Sequence, residues 1–222
     1  MSAALIDDCE RSSLTEPVHK LAALPAETLN SILVRRNIAP ENVEEVASLL
    51  SSTGSAFSAA QVIARSFARR DDRTLPFGFG RFGDGTEYAV YYSALEEETC
   101  VEEVKHRARH SFDAMQSGEL PYSLYYRFIT CAFNGLVLIL CGHEVAHPEL
   151  ISADESGYPF CQSLARQART QDIAAFHAPS ARRIGGVCVP VFKQDALREH
   201  QPRHFIAFSM QDGQLTQKQV SN

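Results

Sequence analysis

The order of patterned segments predicts an α+β domain. Residues at helical spacing come first, a glycine-rich loop follows, and the rest of the chain mixes β-rich runs with helical stretches. Leu29, Ile32 and Leu33 after Pro25, and Val43, Val46, Leu49 and Leu50 after Pro40, recur every three or four positions and read as helices. Ser58 and Gln61 have capping-box spacing ahead of Val62, Ile63 and Phe67, which predicts a third helix ending at the charged break 69–72. The glycine-rich loop closes at Gly85, and the aromatic and β-branched residues of 89–93 then favour a strand.

A helix over 96–112 follows, because Glu96, Glu97 and Glu98 stand where a helix dipole favours anions and His106, Arg107, Arg109 and His110 stand where it favours cations. Segments 122–129, 136–141, 187–192 and 204–208 read as strands, with a helix over 158–170 between them. The polar stretch from Gln211 onward reads as a frayed tail. These elements divide the chain into a helical N-terminal extension (1–57), a mixed body (58–212) and a tail (213–222).

With 222 residues, 45% of them hydrophobic and 22% charged, the composition is that of a soluble globular protein. Twenty-one Lys and Arg against 27 Asp and Glu give a net charge of −6, which argues against an extended grip on a nucleic-acid backbone and leaves a small nucleotide as the compatible ligand. The first basic residue is Arg11 and the longest apolar run, 136–141, falls far short of the roughly 20 residues of a membrane-spanning helix. A cytoplasmic protein without a membrane segment is expected. Cys9, Cys100, Cys131, Cys141, Cys161 and Cys188 form no Cys-x-x-Cys pair and read as reduced, buried small residues.

Two motifs match literally. Gly78-Phe79-Gly80-Arg81-Phe82-Gly83 has the spacing of a dinucleotide fingerprint, but it lies between a helix and a strand, whereas the fingerprint needs the reverse. Glycine N–H groups beside Arg81 offer another reading, a phosphate cradle in a different fold. His143-Glu144-Val145-Ala146-His147 has zinc-hydrolase spacing, which requires a helix to bring both imidazoles to one face. Gly142 before it and Pro148 after it oppose that helix, and Glu155, the carboxylate after His147 that could serve as a third ligand, stands on a segment broken by Ser156-Gly157, so no metal is expected.

A third set is scattered: Arg81, the Tyr91-Tyr92 pair, Glu103 and Ser180. Around the 96–112 helix, Cys100, Val101, Val104 and Ala108 form the apolar stripe, with Glu103 nearer its edge than Glu102. Glu103 can thus point along a sheet rather than straight into water.

In order and spacing, Arg81-Phe-Gly-Asp-Gly-Thr, Val90-Tyr-Tyr-Ser-Ala and Glu98-Thr-Cys-Val-Glu-Glu103 resemble the first half of the RES domain, a bacterial toxin family. Tyr158-Pro-Phe-Cys-Gln162, Pro179-Ser180-Ala-Arg and Ile184-Gly-Gly-Val-Cys-Val-Pro-Val-Phe192 resemble its second half, so that the resemblance spans about residues 58–212. It implies a split mixed β-sheet like that of ADP-ribosyltransferases and an activity that breaks the nicotinamide glycosidic bond of NAD⁺. The acceptor in such enzymes is water, phosphate or a protein.

The resemblance also implies Glu103 and Ser180 as catalytic residues and Arg81 and Tyr92 as NAD⁺-binding residues. Arg81 would fork onto the diphosphate, Tyr92 would face the nicotinamide, Glu103 would stabilise the developing oxocarbenium ion, and Ser180 would hold ribose or nicotinamide. No cofactor beyond NAD⁺ as substrate is implied, and the expected protein partner is an Xre-type helix-turn-helix antitoxin. The sequence departs from the family in one respect: many members carry an additional arginine on an early strand, whereas the helical-looking residues 1–57 here offer only Arg35 or Arg36.

Overall fold

The computed structural model describes residues 2–23, 59–67, 79–113 and 123–220. Its elements are α1 (Ser2–Asp8), β1 (Arg11–Ala23), α2 (Ala59–Phe67), β2 (Tyr91–Ala94), α3 (Glu97–Asp113), β3 (Ser123–Ile139), α4 (Tyr158–Thr170), β4 (Ala175–Pro179), β5 (Val187–Val191), β6 (Leu197–Gln211) and β7 (Gln214–Val220). All strands belong to one mixed seven-stranded sheet, and the α+β class expected from the sequence is what the chain adopts.

A long strand, β3, organises the sheet. Along one side it pairs antiparallel with β1 over the whole of that strand, from Arg11 opposite Leu138 to Ala23 opposite Tyr126. Its other side is shared: β6 pairs antiparallel with its first part, and β4 runs parallel to residues 137–139 at its end. From β4 the order continues through β5 to β2, and His19 of β1 pairs with Ala94 of β2, so that β1, β3, β4, β5 and β2 form a closed circuit of pairings.

Strand alternation sorts side chains into distinct cores. Val137 and Ala175 join Val18, Tyr91, Cys131, Phe133, Val189 and Val191 on one face. Their neighbours Leu138 and Phe176 join Leu5 and Ile6 of α1 and Leu164 and Ala165 of α4 on the other. Helix α3 buries Cys100, Ala108 and Phe112 against Leu21, Tyr126, Phe128, Ile206 and Phe208. Burying a Val, Leu, Ile or Phe side chain in these cores stabilises the fold by roughly 1.5–3 kcal/mol.

Several sequence expectations change. The N-terminal extension is not helical over residues 11–23, which form β1, paired with β3 and β2. This segment carries Ser, Thr, Glu and Pro and little local β preference, so thirteen residues of pairing with β3 decide its conformation. The helices expected around residues 29–33 and 43–50, the capping residue Ser58, and Arg35 and Arg36 lie outside the described residues.

The two strands expected at 122–129 and 136–141 are one, β3, continuing through Asn134-Gly135. Gly135 marks a close approach rather than a turn, since a Cβ there would lie 2.8 Å from the Cβ of Ala174. The expected tail is β7. Asp212 and Gly213 have positive φ (49° and 73°), the backbone of a two-residue hairpin turn, and Gln211 pairs with Gln214 across it. The Asp-Gly pair was the available signal. The helix at 158–170 and the acid-first polarity of α3 are as expected. All six cysteines are free, and all but Cys141 are buried.

Candidate functional site

The glycine-rich loop is a built structure. Gly80 N–H donates to Gly83 O at 2.9 Å and Gly83 N–H to Gly80 O at 3.3 Å, which puts Arg81 and Phe82 at the tip of a tight turn. Those two N–H groups are turned onto carbonyls, so they form neither a dinucleotide fingerprint nor a phosphate cradle. A Cβ on Gly80 would lie 2.7 Å from the hydroxyl of Tyr92, so only glycine fits beside that ring.

Side chains from elsewhere pin the turn. Gln162 of α4 donates through Nε2 to both Gly80 O (3.0 Å) and Gly83 O (3.1 Å). Tyr92 accepts the Phe82 N–H at 3.2 Å, and Tyr88 donates to Phe82 O at 2.7 Å. Phe82 itself is buried edge-on against Phe176. One turn along α4, Arg166 pairs with Asp84 at 3.1 Å, while the other oxygen of Asp84 accepts the N–H groups of Thr86 and Glu87.

Arg81 is thereby aimed inward. Its side chain is 11% exposed, and one terminal nitrogen donates to Leu150 O (2.5 Å) and Pro179 O (3.0 Å). The other stands 4.0 Å from Oε1 of Glu103 on α3. Oε1 also accepts the Ser180 hydroxyl at 2.6 Å, the Ala181 N–H at 3.1 Å and the Cys188 thiol at 3.3 Å. No hydrogen bond falls on Oε2 from any described residue, and the Glu103 side chain is 30% exposed. One carboxylate oxygen is therefore clamped and the other is open.

Ser180 directly follows β4, where its N–H donates to Gly186 O at 2.8 Å and closes the loop to β5. Its hydroxyl donates to Glu103 and accepts the N–H groups of Arg182 (3.1 Å) and Arg183 (3.0 Å), which fills its one donor and two acceptor positions. This arrangement orients Glu103 and leaves the hydroxyl no further bond to offer. The loop is held at its far side by Glu96, which accepts the Val187 N–H at 3.0 Å and the Thr99 hydroxyl at 2.6 Å, and by Arg183, which donates to Thr99 at 3.1 Å.

Burial alone would raise the Glu103 carboxyl, but the Arg81 charge, then the hydrogen bonds from Ser180 and Cys188 and the charge of Arg182, outweigh it and hold the group below its ordinary range. Glu103 is accordingly ionised at neutral pH. Burial also opposes the charge on Arg81, and Cys188 and Glu103 offset it. Because burial pushes the Cys188 thiol far up and keeps it protonated, the negative charge supporting Arg81 is that of Glu103.

The four residues singled out in the sequence thus meet in one place: Arg81, Glu103 and Ser180 in direct contact, and Tyr92 against the turn that carries Arg81. Lys20 of β1 donates to Tyr92 O at 3.2 Å and lies 4.6 Å from the ring centre of Tyr91, which ties β1 to the same region. Gln162 and Cys188 were not assigned roles from sequence, although both stand in the quoted motifs. The clamping carbonyls of Leu150 and Pro179 carry no side-chain signal at all.

Residues 143–147 form a turn, not a helix, with the His147 N–H donating to His143 O at 2.8 Å. Glu144 accepts the Gly142 N–H at 2.7 Å, His147 stacks on Phe160, and Pro148 begins the 3-10 turn that presents Leu150 O to Arg81. Among the described residues no group of three or more His, Cys, Asp and Glu is arranged to hold a metal ion, and no helix is long and apolar enough to cross a membrane.

The family model of the RES domain matches residues 33–214. No curated protein matches the chain. The match covers most of the sequence, including the Arg81 turn, Glu103 on α3 and the Ser180 loop, and the chain therefore belongs to the RES domain family.

Proposed function

We propose that this protein cleaves the bond between nicotinamide and ribose in NAD⁺. The observation that carries this reading is Glu103, ionised, held on one oxygen by Ser180, Ala181 and Cys188 beside Arg81, and open on the other. A fixed anion with one unoccupied oxygen suits a reaction in which positive charge develops on a ribose carbon. Membership of the RES family and the α+β body support it. The reading includes an ADP-ribosyltransferase-like arrangement of the split sheet, in which β6 and β4 share one side of β3.

The C1′–N bond breaks with its electron pair leaving on nicotinamide, whose ring becomes neutral, and the ribosyl group passes through an oxocarbenium-like state. Oε2 of Glu103 bonds a ribose hydroxyl and faces that charge, an interaction that strengthens as the bond breaks. Water adds to C1′ and loses a proton, giving ADP-ribose. Ser180 and Arg81 hold the carboxylate in orientation and charge state. The edge of Arg81 not engaged by the two carbonyls meets the dinucleotide, and the ring of Tyr92 backs the nicotinamide.

In this reading the chain is a toxin, restrained by an Xre-type helix-turn-helix antitoxin that denies NAD⁺ access to Glu103. Purified protein given NAD⁺ should release nicotinamide, and Glu103→Gln, which keeps an oxygen for Ser180 but removes the charge, should lower release by about 10³-fold with the fold intact. Unchanged release in that variant sinks the assignment. Label from adenine-tritiated NAD⁺ appearing on proteins rather than as free ADP-ribose would shift the acceptor from water to protein.

A further inference from the structure

Lys20 is a basic residue that the mechanism above does not use, and it stands on β1, ahead of the residues 33–214 that match the family. Strand β1 meets β2 at a single position, His19 opposite Ala94. On β2 the Leu95 N–H donates to Val187 O, so by the alternation of an antiparallel ladder Tyr91 and Ser93 turn their backbone groups to β5, while Tyr92 and Ala94 turn theirs to β1. Pro190, opposite Tyr92 on β5, has no N–H to give. The Tyr92 carbonyl therefore looks out where the β1–β2 pairing has ended. Lys20 takes the place of the missing strand donor, with Nζ 3.2 Å from Tyr92 O and 4.6 Å from the ring centre of Tyr91.

The carbonyl it holds belongs to a residue that braces the Arg81 turn. Tyr92 accepts the Phe82 N–H through its hydroxyl, and its ring leaves no room for a Cβ at Gly80. Lys20 is half-buried, and no carboxylate of a described residue pairs with it. Among the described residues, the charged and titratable groups that face it are Arg107 and Cys100 of α3, Cys131 of β3 and Tyr91 of β2. Burial keeps both thiols and the Tyr91 hydroxyl protonated, so none of them offsets the ammonium. Burial first, and then the Arg107 charge, push Lys20 down to about 8.

We propose that Lys20 is a positioning residue for the cleavage: as an ammonium it holds the Tyr92 carbonyl, and through Tyr92 it sets the turn that aims Arg81 at Glu103. The inference rests on the NAD⁺ reading for its reaction, and on the backbone geometry of β1 and β2 for the residue.

In Lys20→Met, kcat for nicotinamide release should fall at least tenfold with KM within threefold of the parent. Lys20→Arg, which keeps a cation and its donors, should recover at least a third of the parent's kcat. Lys193→Met, which removes an equal charge from a surface pair with Asp172, should change kcat by less than twofold. The parent's kcat should drop as pH rises through about 8, and Lys20→Arg should lack that limb. Stability has the opposite sign. Because the folded value lies below the ordinary 10.5, the unfolded chain binds the extra proton between about 8 and 10.5, so the parent should gain urea stability relative to Lys20→Met over that interval. A packing residue would instead lose activity and stability together.

NMR of ring-labelled tyrosine gives a readout independent of turnover. The Tyr92 signal, assigned with Tyr92→Phe, should titrate with a midpoint near 8 in the parent and not in Lys20→Arg; burial holds the Tyr92 hydroxyl far above that value, so the midpoint is not its own. Full activity in Lys20→Met, an alkaline limb unchanged in Lys20→Arg, or a Tyr92 signal flat through pH 8 would each overturn the proposal. Nicotinamide release with a flat Tyr92 signal removes this inference and leaves the NAD⁺ reading. A titrating Tyr92 in a protein that releases no nicotinamide removes that reading, and with it the role in cleavage, and keeps the coupling of Lys20 to Tyr92.

Discussion

Residues 143–147 and the Arg81–Glu103–Ser180 cluster make opposite use of reactive side chains. The first is a literal match to a zinc-hydrolase motif, contiguous in sequence, and it folds as a turn whose carboxylate accepts a neighbouring N–H and whose second imidazole stacks on Phe160. The second is spread over three parts of the chain, lies in no single contiguous motif, and converges on one carboxylate oxygen. Spacing along the sequence has chemical meaning only in the secondary structure that converts it into direction. The His-Glu-x-x-His spacing requires a helix, and Gly142 and Pro148 remove it.

The largest expected effect sharpens that contrast at Arg81. Arg81→Met leaves the carbonyls of Leu150 and Pro179 without a donor and the Glu103 charge without its partner. Breaking a buried pair of this kind costs about 3 kcal/mol or more, readable by urea denaturation, and turnover should fall with it. A variant as stable and as active as the parent would show that the cluster does not depend on Arg81.

The next test uses pH. The carboxyl of Glu103 is lowered in the folded state, so its contribution is complete above the ordinary carboxylate value of 4.5 and is lost only as pH falls through the lower folded value. The acid limb of nicotinamide release should therefore lie below that ordinary value. In Arg81→Gln, with the main lowering charge gone, the limb should move toward higher pH. An unmoved limb breaks the coupling between the two residues.

Gln162→Leu should have a smaller effect. It leaves the Gly80 and Gly83 carbonyls without their shared donor, a loss of about 1–3 kcal/mol. If Gln162 acts by holding Arg81 in place, kcat falls more than KM rises, and Gln162→Glu at a pH where the acid is protonated restores part of it. Equal losses in stability with unchanged kcat would reduce Gln162 to a packing role.

At the other end of the comparison, His143→Ala with His147→Ala should leave turnover within twofold and stability within about 1 kcal/mol, the size of one lost ring contact. Treatment with a chelator should change neither. A tenfold loss in either experiment would reverse the standing of the two regions.

Much of the fold was legible where periodicity is strong and local. Helix α4 matches its expected span and α3 lies within one residue of it, because apolar spacing and terminal charges act within a few turns. Strand β7 is signalled only by Asp212-Gly213, because its polar residues carry little strand preference of their own. Strand β1 was not legible. Its residues have little preference of their own, and the partner that makes them a strand begins a hundred residues later.

By itself the sequence determined the chemical inventory of this protein: an acidic α+β chain with an arginine in a glycine turn, a glutamate at the edge of a helical stripe, and a serine after a proline. Tertiary structure alone decided that these meet, that Oε1 is clamped while no described residue bonds Oε2, that the Ser180 hydroxyl is bonded to Glu103 and two N–H groups, and that the Gly80 and Gly83 N–H groups face each other's carbonyls. The reason is one of range. Propensity and spacing act over a few residues, whereas the charge state and direction of Glu103 come from groups 22 positions before it and 77 to 85 after it, brought within hydrogen-bond or ion-pair distance only by the closed circuit of strands.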